Sequence, residues 1–487
     1  MTQLSDNAQG QGVARGPRAT KKRQASAPTT SSSRASRPGG PATRQGSATR
    51  QGPSPSQGAQ GHHSSKASGS SSAGAPRSRP RFTLTRRTVI RAAAGVGIVA
   101  AAAGTIGVVR SCTSKRGEDG TPTVVDSNKA DYVIDPKTNQ SNYSSVELPL
   151  TQGASWTIAL GNVLHPAEGK WVPVTTAGSS AAPMVKASAF STETGTLKEV
   201  VKEPLADDKT SVVIYDVRCS DSVFAWVELN LLTHDWALYA SAFSGGVLSG
   251  SPTALWSANS DFDPAPFAVT GKRVIWQVMP SISGHKTTEH SFCYVWSVGD
   301  SDARSVVESP GRFATEPLVS NDTVTLVPRV NASQGTYYGI TAYSLSDNLA
   351  TQIDRLVLPQ TVRPLNAVRI GDKFAFSIEA TYSSGGLLGV MGTYIGRGSG
   401  PFVALPREPA AAVAGKDGLY VIRASSSYFV VNTTERSYST LIAANRCVDY
   451  GEYPARAGEC SNFVTFATIK AQNTGYPESV NVRSFSL

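Results

Sequence analysis

Val223-Phe224-Ala225-Trp226 returns in altered letters as Arg273-Val274-Ile275-Trp276, then as Val324-Thr325-Leu326, Phe374-Ala375-Phe376, Leu419-Tyr420-Val421 and Val464-Thr465-Phe466. The runs end at residues 226, 276, 326, 376, 421 and 466, at intervals of 50, 50, 50, 45 and 45. Each sets apolar or aromatic side chains two positions apart, the period of a strand. Pro264, Pro317, Pro364, Pro409 and Pro454 stand ahead of five of them. A proline at the first residue of a strand is tolerated, because its missing donor is not needed there.

A second set of runs follows the first, often ending in an aromatic residue and then Ser. Its members are Ala187–Ser191, Tyr239–Ser244, Tyr294–Ser297, Thr341–Ser344, Gly392–Tyr394, Tyr428–Val431 and Arg483–Ser486, seven in all. Clusters of Gly, Ser, Asn, Asp and Pro separate the runs, and no amphipathic helix is evident. A 45–50-residue period built of strands alone is the mark of a β-propeller. The expectation is an all-β, seven-bladed propeller over residues 141–487, about 50 residues per blade, with Trp156–Val201 as the first blade. The last unit ends after its third strand, and an unassigned strand, Ser145–Leu150, precedes the first. That strand is expected to supply the outer edge of the last blade and close the ring, removing an exposed sheet edge. A pair of large β-sandwiches would explain the strands but not their near-constant spacing.

Pro264-Ala265-Pro266-Phe267-Ala268-Val269-Thr270-Gly271-Lys272-Arg273-Val274 resembles the blade opening of TolB-like and WD40-like propellers. The Trp-Asp dipeptide does not repeat, and the Ser-Pro-Asp-Gly core of TolB blades and the sialidase Asp-box are absent.

Upstream, Thr85-Arg86-Arg87-Thr88-Val89-Ile90-Arg91 is followed by eighteen uncharged residues, Ala92 to Val109. The stretch resembles the bacterial twin-arginine (Tat) export signal, Ser/Thr-Arg-Arg-x-Phe-Leu-Lys. Thr85, Arg86 and Arg87 match outright, and Val89, Ile90 and Arg91 replace the Phe, Leu and Lys conservatively. The resemblance implies recognition by the Tat translocase and passage of an already folded domain out of the cytoplasm. As a helix the apolar run would span roughly 27 Å, close to a ~30 Å hydrocarbon core. Basic residues dominate its N-terminal flank, which keeps the N-terminus inside. Three fates stay open: an uncleaved single span, lipidation of Cys112 after a box-like Val109-Arg110-Ser111, or cleavage and release.

Charge divides the chain in the same place. Residues 1–116 hold 19 Lys/Arg and one acid, Asp6, while the whole chain holds 46 Lys/Arg and 36 Asp/Glu. The remainder is therefore acidic, and the basic total does not argue for specific nucleic-acid binding. Residues 1–84, rich in Ser, Gly, Ala, Pro, Gln, Thr and Arg, cannot bury enough apolar surface to offset chain entropy and read as a disordered basic tail. Residues 85–112 are the signal or transmembrane helix, and 113–140 a polar linker.

Of five cysteines, Cys447 and Cys460 are expected to bridge near the closure seam, while Cys219 and Cys293 read as buried thiols. His285 and His290 lack a third ligand at metal spacing. Asp261, Asp263, Glu316 and Glu408 stand before blade-opening prolines, where they would line one channel mouth or serve turn chemistry. No nucleophile elbow or phosphate-binding Gly loop is found, and no cofactor is implied. The resulting expectation is an exported, membrane-anchored cell-envelope propeller that binds protein, peptide or glycan. The alternative is a glycan-acting hydrolase or lyase using the channel-mouth acids.

Overall fold

The computed structural model describes residues 129–487 except 178–183, 332, 334, 361, 379–390, 407–410, 425–426 and 445–450. The export motif, Cys112, Glu408 and Cys447 lie outside these residues. Among the described residues there is no α-helix, and so none long and apolar enough to cross a membrane.

The strands form an all-β propeller. In each of six sheets the order in space follows the order in sequence. The first two are Asn162–Leu164, Trp171–Ala177, Met184–Ser191 and Leu197–Val201, then Val212–Cys219, Val223–Asn230, Trp236–Ser244 and Thr253–Ala258. The next two are Phe267–Thr270, Arg273–Val278, Ser291–Ser297 and Arg304–Ser309, then Leu318–Ser320, Thr323–Leu326, Tyr337–Ser344 and Gln352–Val357. Blade 5 is Pro364–Ile370, Lys373–Ile378, Gly392–Gly396 and Val403–Pro406, and blade 6 is Ala414–Lys416, Leu419–Arg423, Ser427–Asn432 and Ser437–Ile442. A further sheet is composite: Glu452–Pro454, Asn462–Lys470 and Pro477–Ser486 are completed by Thr151–Ala159 from the other end of the domain.

This corrects the expectation of a seven-bladed propeller. Six blades are continuous in sequence, and the remaining sheet is a seam. Trp156 belongs to the seam and not to the first blade, which begins at Asn162. The closing strand is Thr151–Ala159, not Ser145–Leu150. The shift has a cause in the chain: Ser144–Ser145 pairs in parallel with Ser437–Tyr438 on blade 6, so the chain joins the seam only afterwards. Leu150, 6% exposed, packs between blade 6 and the seam with Leu441, Phe463 and Phe485. The end of the segment read as a linker is also part of the fold. Asp131–Tyr132 adds in parallel to the outer strand of blade 5, and Val133 and Tyr143 are buried.

Second and third strands carry the cores. Val223–Val227, Val274–Val278 and Phe374–Ile378 are buried throughout, because both faces of each sheet pack against a neighbouring blade. Tight turns join the first and second strands of blades 3 to 6. In these, Gly271, Asn321, Gly371 and Asp417 take positive φ of 50–60°, the conformation that short hairpin loops favour.

Strand direction sorts the connections. First-to-second and third-to-fourth turns lie on one side, the turn face. Second-to-third loops and blade-to-blade crossings lie on the other, the loop face.

Candidate functional site: the axial channel and the loop face

The segment Ala455–Ser461, between the first two strands of the seam sheet, crosses the channel. Gly458-Glu459 pairs in parallel with Ala414-Gly415 of blade 6. The Glu459 N–H donates to Ser320 Oγ of blade 4 at 3.0 Å, and Glu459 Oε2 accepts from the Gly371 N–H of blade 5 at 3.3 Å. Arg456, 4% exposed, donates to the carbonyls of Ala167 and Gly169 in blade 1. Glycine is required at 458: its φ is 73°, and an added Cβ would lie 2.4 Å from the Val319 carbonyl oxygen.

Beside this crossing lies a cavity of about 310 Å³, lined by residues of blades 1 to 4 and of the crossing itself. Its charged groups are Glu168, Arg218, Glu316, Arg456 and Glu459. Glu168 is tied to blade 3, accepting from Thr270 Oγ1 at 2.8 Å and from the Gly271 N–H at 2.6 Å. Arg218 and Asp216 reach the channel from the first strand of blade 2, where the register shifts between Ile214 and Asp216. Arg218 bonds Asp216, meets Glu316 Oε2 at 3.2 Å and lies 5.7 Å over the Phe267 ring.

His165 sits against the same pair, its Nδ1 3.3 Å from Asp216 Oδ1 and its Nε2 2.9 Å from Thr175 Oγ1. Asp-His-Thr is the order of a nucleophilic relay. Thr175, however, is 0% exposed inside its sheet, so no substrate reaches the hydroxyl. The relay is a structural tie between blades 1 and 2.

Burial pushes the Asp216 carboxyl up, but the Arg218 guanidinium and His165 outweigh it and hold the group below its ordinary value. A depressed carboxyl adds stability above the ordinary carboxylate range. That stability is lost as pH falls through the folded value. Asp216→Asn is therefore expected to lower the unfolding temperature at pH 7, with the difference from the native chain shrinking below about pH 4. Unfolding temperature against pH checks this; a gap independent of pH would remove the charge from the account.

Of the described acids singled out in the sequence, Asp261, Asp263 and Glu316, only Glu316 lines the cavity. Asp263 pairs with Arg312 at 2.7 Å, and Asp261 accepts the His285 N–H at 3.3 Å from the neighbouring loop of blade 3. The described acids thus do not form a common mouth ring, because the approach to each blade differs in length and path. His290 meets Glu308 at 2.5 Å on the surface, and among the described residues no three His, Cys, Asp or Glu are grouped to hold a metal ion. Cys219 and Cys293 are buried thiols, pushed up by burial. Cys460 is a thiol pushed up to about 11 by burial, and its expected partner, Cys447, lies outside the described residues.

His165, Asp216, Arg218, Arg456 and Glu459 were not singled out in the sequence. The one available signal was Asp216 and Arg218 themselves, two charges inside the otherwise apolar Val212–Cys219.

The loop face differs from the turn face. Among the described residues, Leu160, Leu205, Leu231, Leu232, Ile282, Leu365, Ile442, Tyr453 and Tyr476 are exposed on loop-face connections or strand ends. Val146, Leu197, Val247 and Ile353 are exposed near the turn face, and Tyr215 within the first strand of blade 2. Leu232, Ile282 and Tyr476 are 81%, 77% and 75% exposed.

No family model matches the chain, and no curated protein matches it. Solved structures that resemble it are propellers at low identity. The β-propeller domain of the Trilobed protease from Pyrococcus furiosus is 9% identical, with a TM-score of 0.40, over 64% of this chain and 91% of that one. TolB from Acinetobacter baumannii is 14% identical, with a TM-score of 0.34, over 59% and 64%. An acylaminoacyl peptidase is 8% identical, with a TM-score of 0.41, over 69% of this chain and 51% of that one, so the match spans about half of the peptidase. These likenesses concern the fold alone.

Proposed function

We propose that this chain is an exported, membrane-anchored propeller that binds a macromolecule through its loop face. The observation that carries the binding role is the uneven distribution of exposed large apolar side chains among the described residues, nine at the loop face against four at the turn face. Apolar side chains gathered on one face of a folded domain mark an interaction surface.

Chain direction supports an outward-looking face. Each outer strand runs from the turn face to the loop face, and Asp131–Tyr132 runs parallel to one of them. The chain therefore enters the fold at the turn-face rim of blade 5. A span at Ala92–Val109, joined through the residues that follow, would place the turn face toward the membrane and the loop face away from it. The paired arginines supply the route, since a Tat substrate crosses already folded.

Export is tested by fractionating cells that make the native chain or Arg86→Lys/Arg87→Lys, then sequencing the exported N-terminus. The expected result is loss of export in the double variant and retention of residue 1 in the native membrane fraction. Export that persists without the arginine pair, or a soluble chain beginning after Cys112, would remove the anchored reading.

A further inference from the structure

The apolar residues of the loop face are not spread evenly. Leu205, Leu231, Leu232 and Ile282 stand on three loops of blades 2 and 3 that are hydrogen-bonded, together with the crossing between those blades, into one platform. The Leu231 N–H donates to the Ser211 carbonyl at 2.9 Å, which joins the two loops of blade 2. Trp236 Nε1 donates to the Phe262 carbonyl at 2.9 Å, tying blade 2 to the crossing into blade 3. That crossing is held to the next loop by the Ser281 N–H on the Asp261 carbonyl at 2.8 Å and by the bridge between Phe262 and Pro280.

The platform is acidic. Residues 202–211, 231–235, 259–266 and 279–290 carry seven Asp/Glu and three Lys. Glu203, Glu289 and Asp263 are paired with Lys209, Lys286 and Arg312. Among the described residues, no basic side chain forms an ion pair with Asp207, Asp208, Asp235 or Asp261. Hydroxyls of Ser211 and Thr210 hold the Asp208 carboxyl down at about 2, so its charge persists at any physiological pH.

We infer that this platform docks a basic, apolar-bearing segment of a partner protein, an inference that rests on the binding-module reading above. Uncompensated carboxylates beside exposed aliphatic side chains complement a chain that alternates Lys or Arg with Leu, Ile or Phe. The same charges repel an anionic lipid surface and nucleic acid. A second copy of this chain is disfavoured, because a two-fold contact would set the acidic patch against itself.

The test places the photo-crosslinker benzoylphenylalanine at Leu232 or Ile282, and at Val247 on the turn face as control, in the full chain in intact cells. A second set carries Asp207→Lys/Asp235→Lys; both aspartates are exposed, so the fold is not at stake. The expected result is a protein adduct from positions 232 and 282 but not 247, joined through a segment of net positive charge. Charge reversal should cut its yield at least about fivefold. An adduct through an uncharged or acidic segment, through a second copy of this chain, or unchanged by charge reversal overturns the basic-segment inference while loop-face binding stands. No adduct from either loop-face position overturns both.

Discussion

Arg483→Ala is expected to lower the free energy of unfolding by ~3–5 kcal/mol, the range for breaking a buried ion pair from one side. Arg483 and Glu452 sit in the seam sheet with side chains 10% and 1% exposed. They meet twice, Arg483 Nε to Oε1 at 2.8 Å and an Nη to Oε2 at 2.5 Å. The carboxylate also accepts from Thr465 Oγ1 and from the Ala444 N–H at 3.1 Å, while Arg483 donates to the Ile442 carbonyl at 3.1 Å. Ile442 and Ala444 lie at the exit of blade 6, so the network fastens the seam to its neighbour. Removing the guanidinium leaves a carboxylate that water cannot reach. Glu452→Ala should cost a similar amount for the mirrored reason. Glu452→Leu/Arg483→Met, which removes both charges, should lose less than the two single changes together. Urea unfolding followed by tryptophan fluorescence gives the three values. A single-variant loss below about 1 kcal/mol would mean that solvent screens the pair as it does a surface one.

The two classes of strand read from the sequence correspond to fixed places in the fold. All six runs that end at residues 226 to 466 are second strands, and all seven members of the aromatic set lie in third strands. These strands were legible because they are buried on both sides. Trp226, Trp276 and Phe376 are 0% exposed, and such positions admit few residue types. First and fourth strands were not legible. First strands shrink to Leu318–Ser320 and Ala414–Lys416, too short to show a period. Fourth strands such as Leu197–Val201 and the closing Thr151–Ala159 are largely exposed, so their side chains are set by solubility. The closing strand was therefore expected from the need to cover an edge but placed six residues early.

The candidate sites were harder to read for a different reason. Glu316 lines the cavity, yet its partner Arg218 stands 98 positions earlier in another blade, and no local spacing joins them. The loop-face platform is likewise assembled from four separate segments. Leu232 and Ile282 in isolation are only exposed apolar residues in turns. They become a surface when the blades set their loops side by side.

A chain beginning at Leu160 is expected to lose the folded monomer, whereas one beginning at Val146 should keep it. The first lacks Thr151–Ala159 and the second retains it; both lack the pairings of Asp131–Tyr132 and Ser144–Ser145 with blades 5 and 6. Thr151–Ala159 pairs along the edge of Pro477–Ser486, from the pair Thr151–Ser486 to the pair Ala159–Ser479. It also fastens the seam to blade 1. Ile158 is buried with Leu164, Val172 and Phe190, and the Trp156 ring meets Phe190 edge-on at 5.5 Å. Without it, Pro477–Ser486 presents unpaired N–H and C=O groups along an open edge, a template for another chain. The shorter chain should therefore elute as oligomers or aggregate. A synthetic peptide of residues 146–159 added during refolding should recover the monomer by supplying the missing strand. Size-exclusion chromatography of both chains, with and without the peptide, reads the outcome. A monomer from Leu160 with the unfolding temperature of the longer chain would mean that the ring holds without its seam.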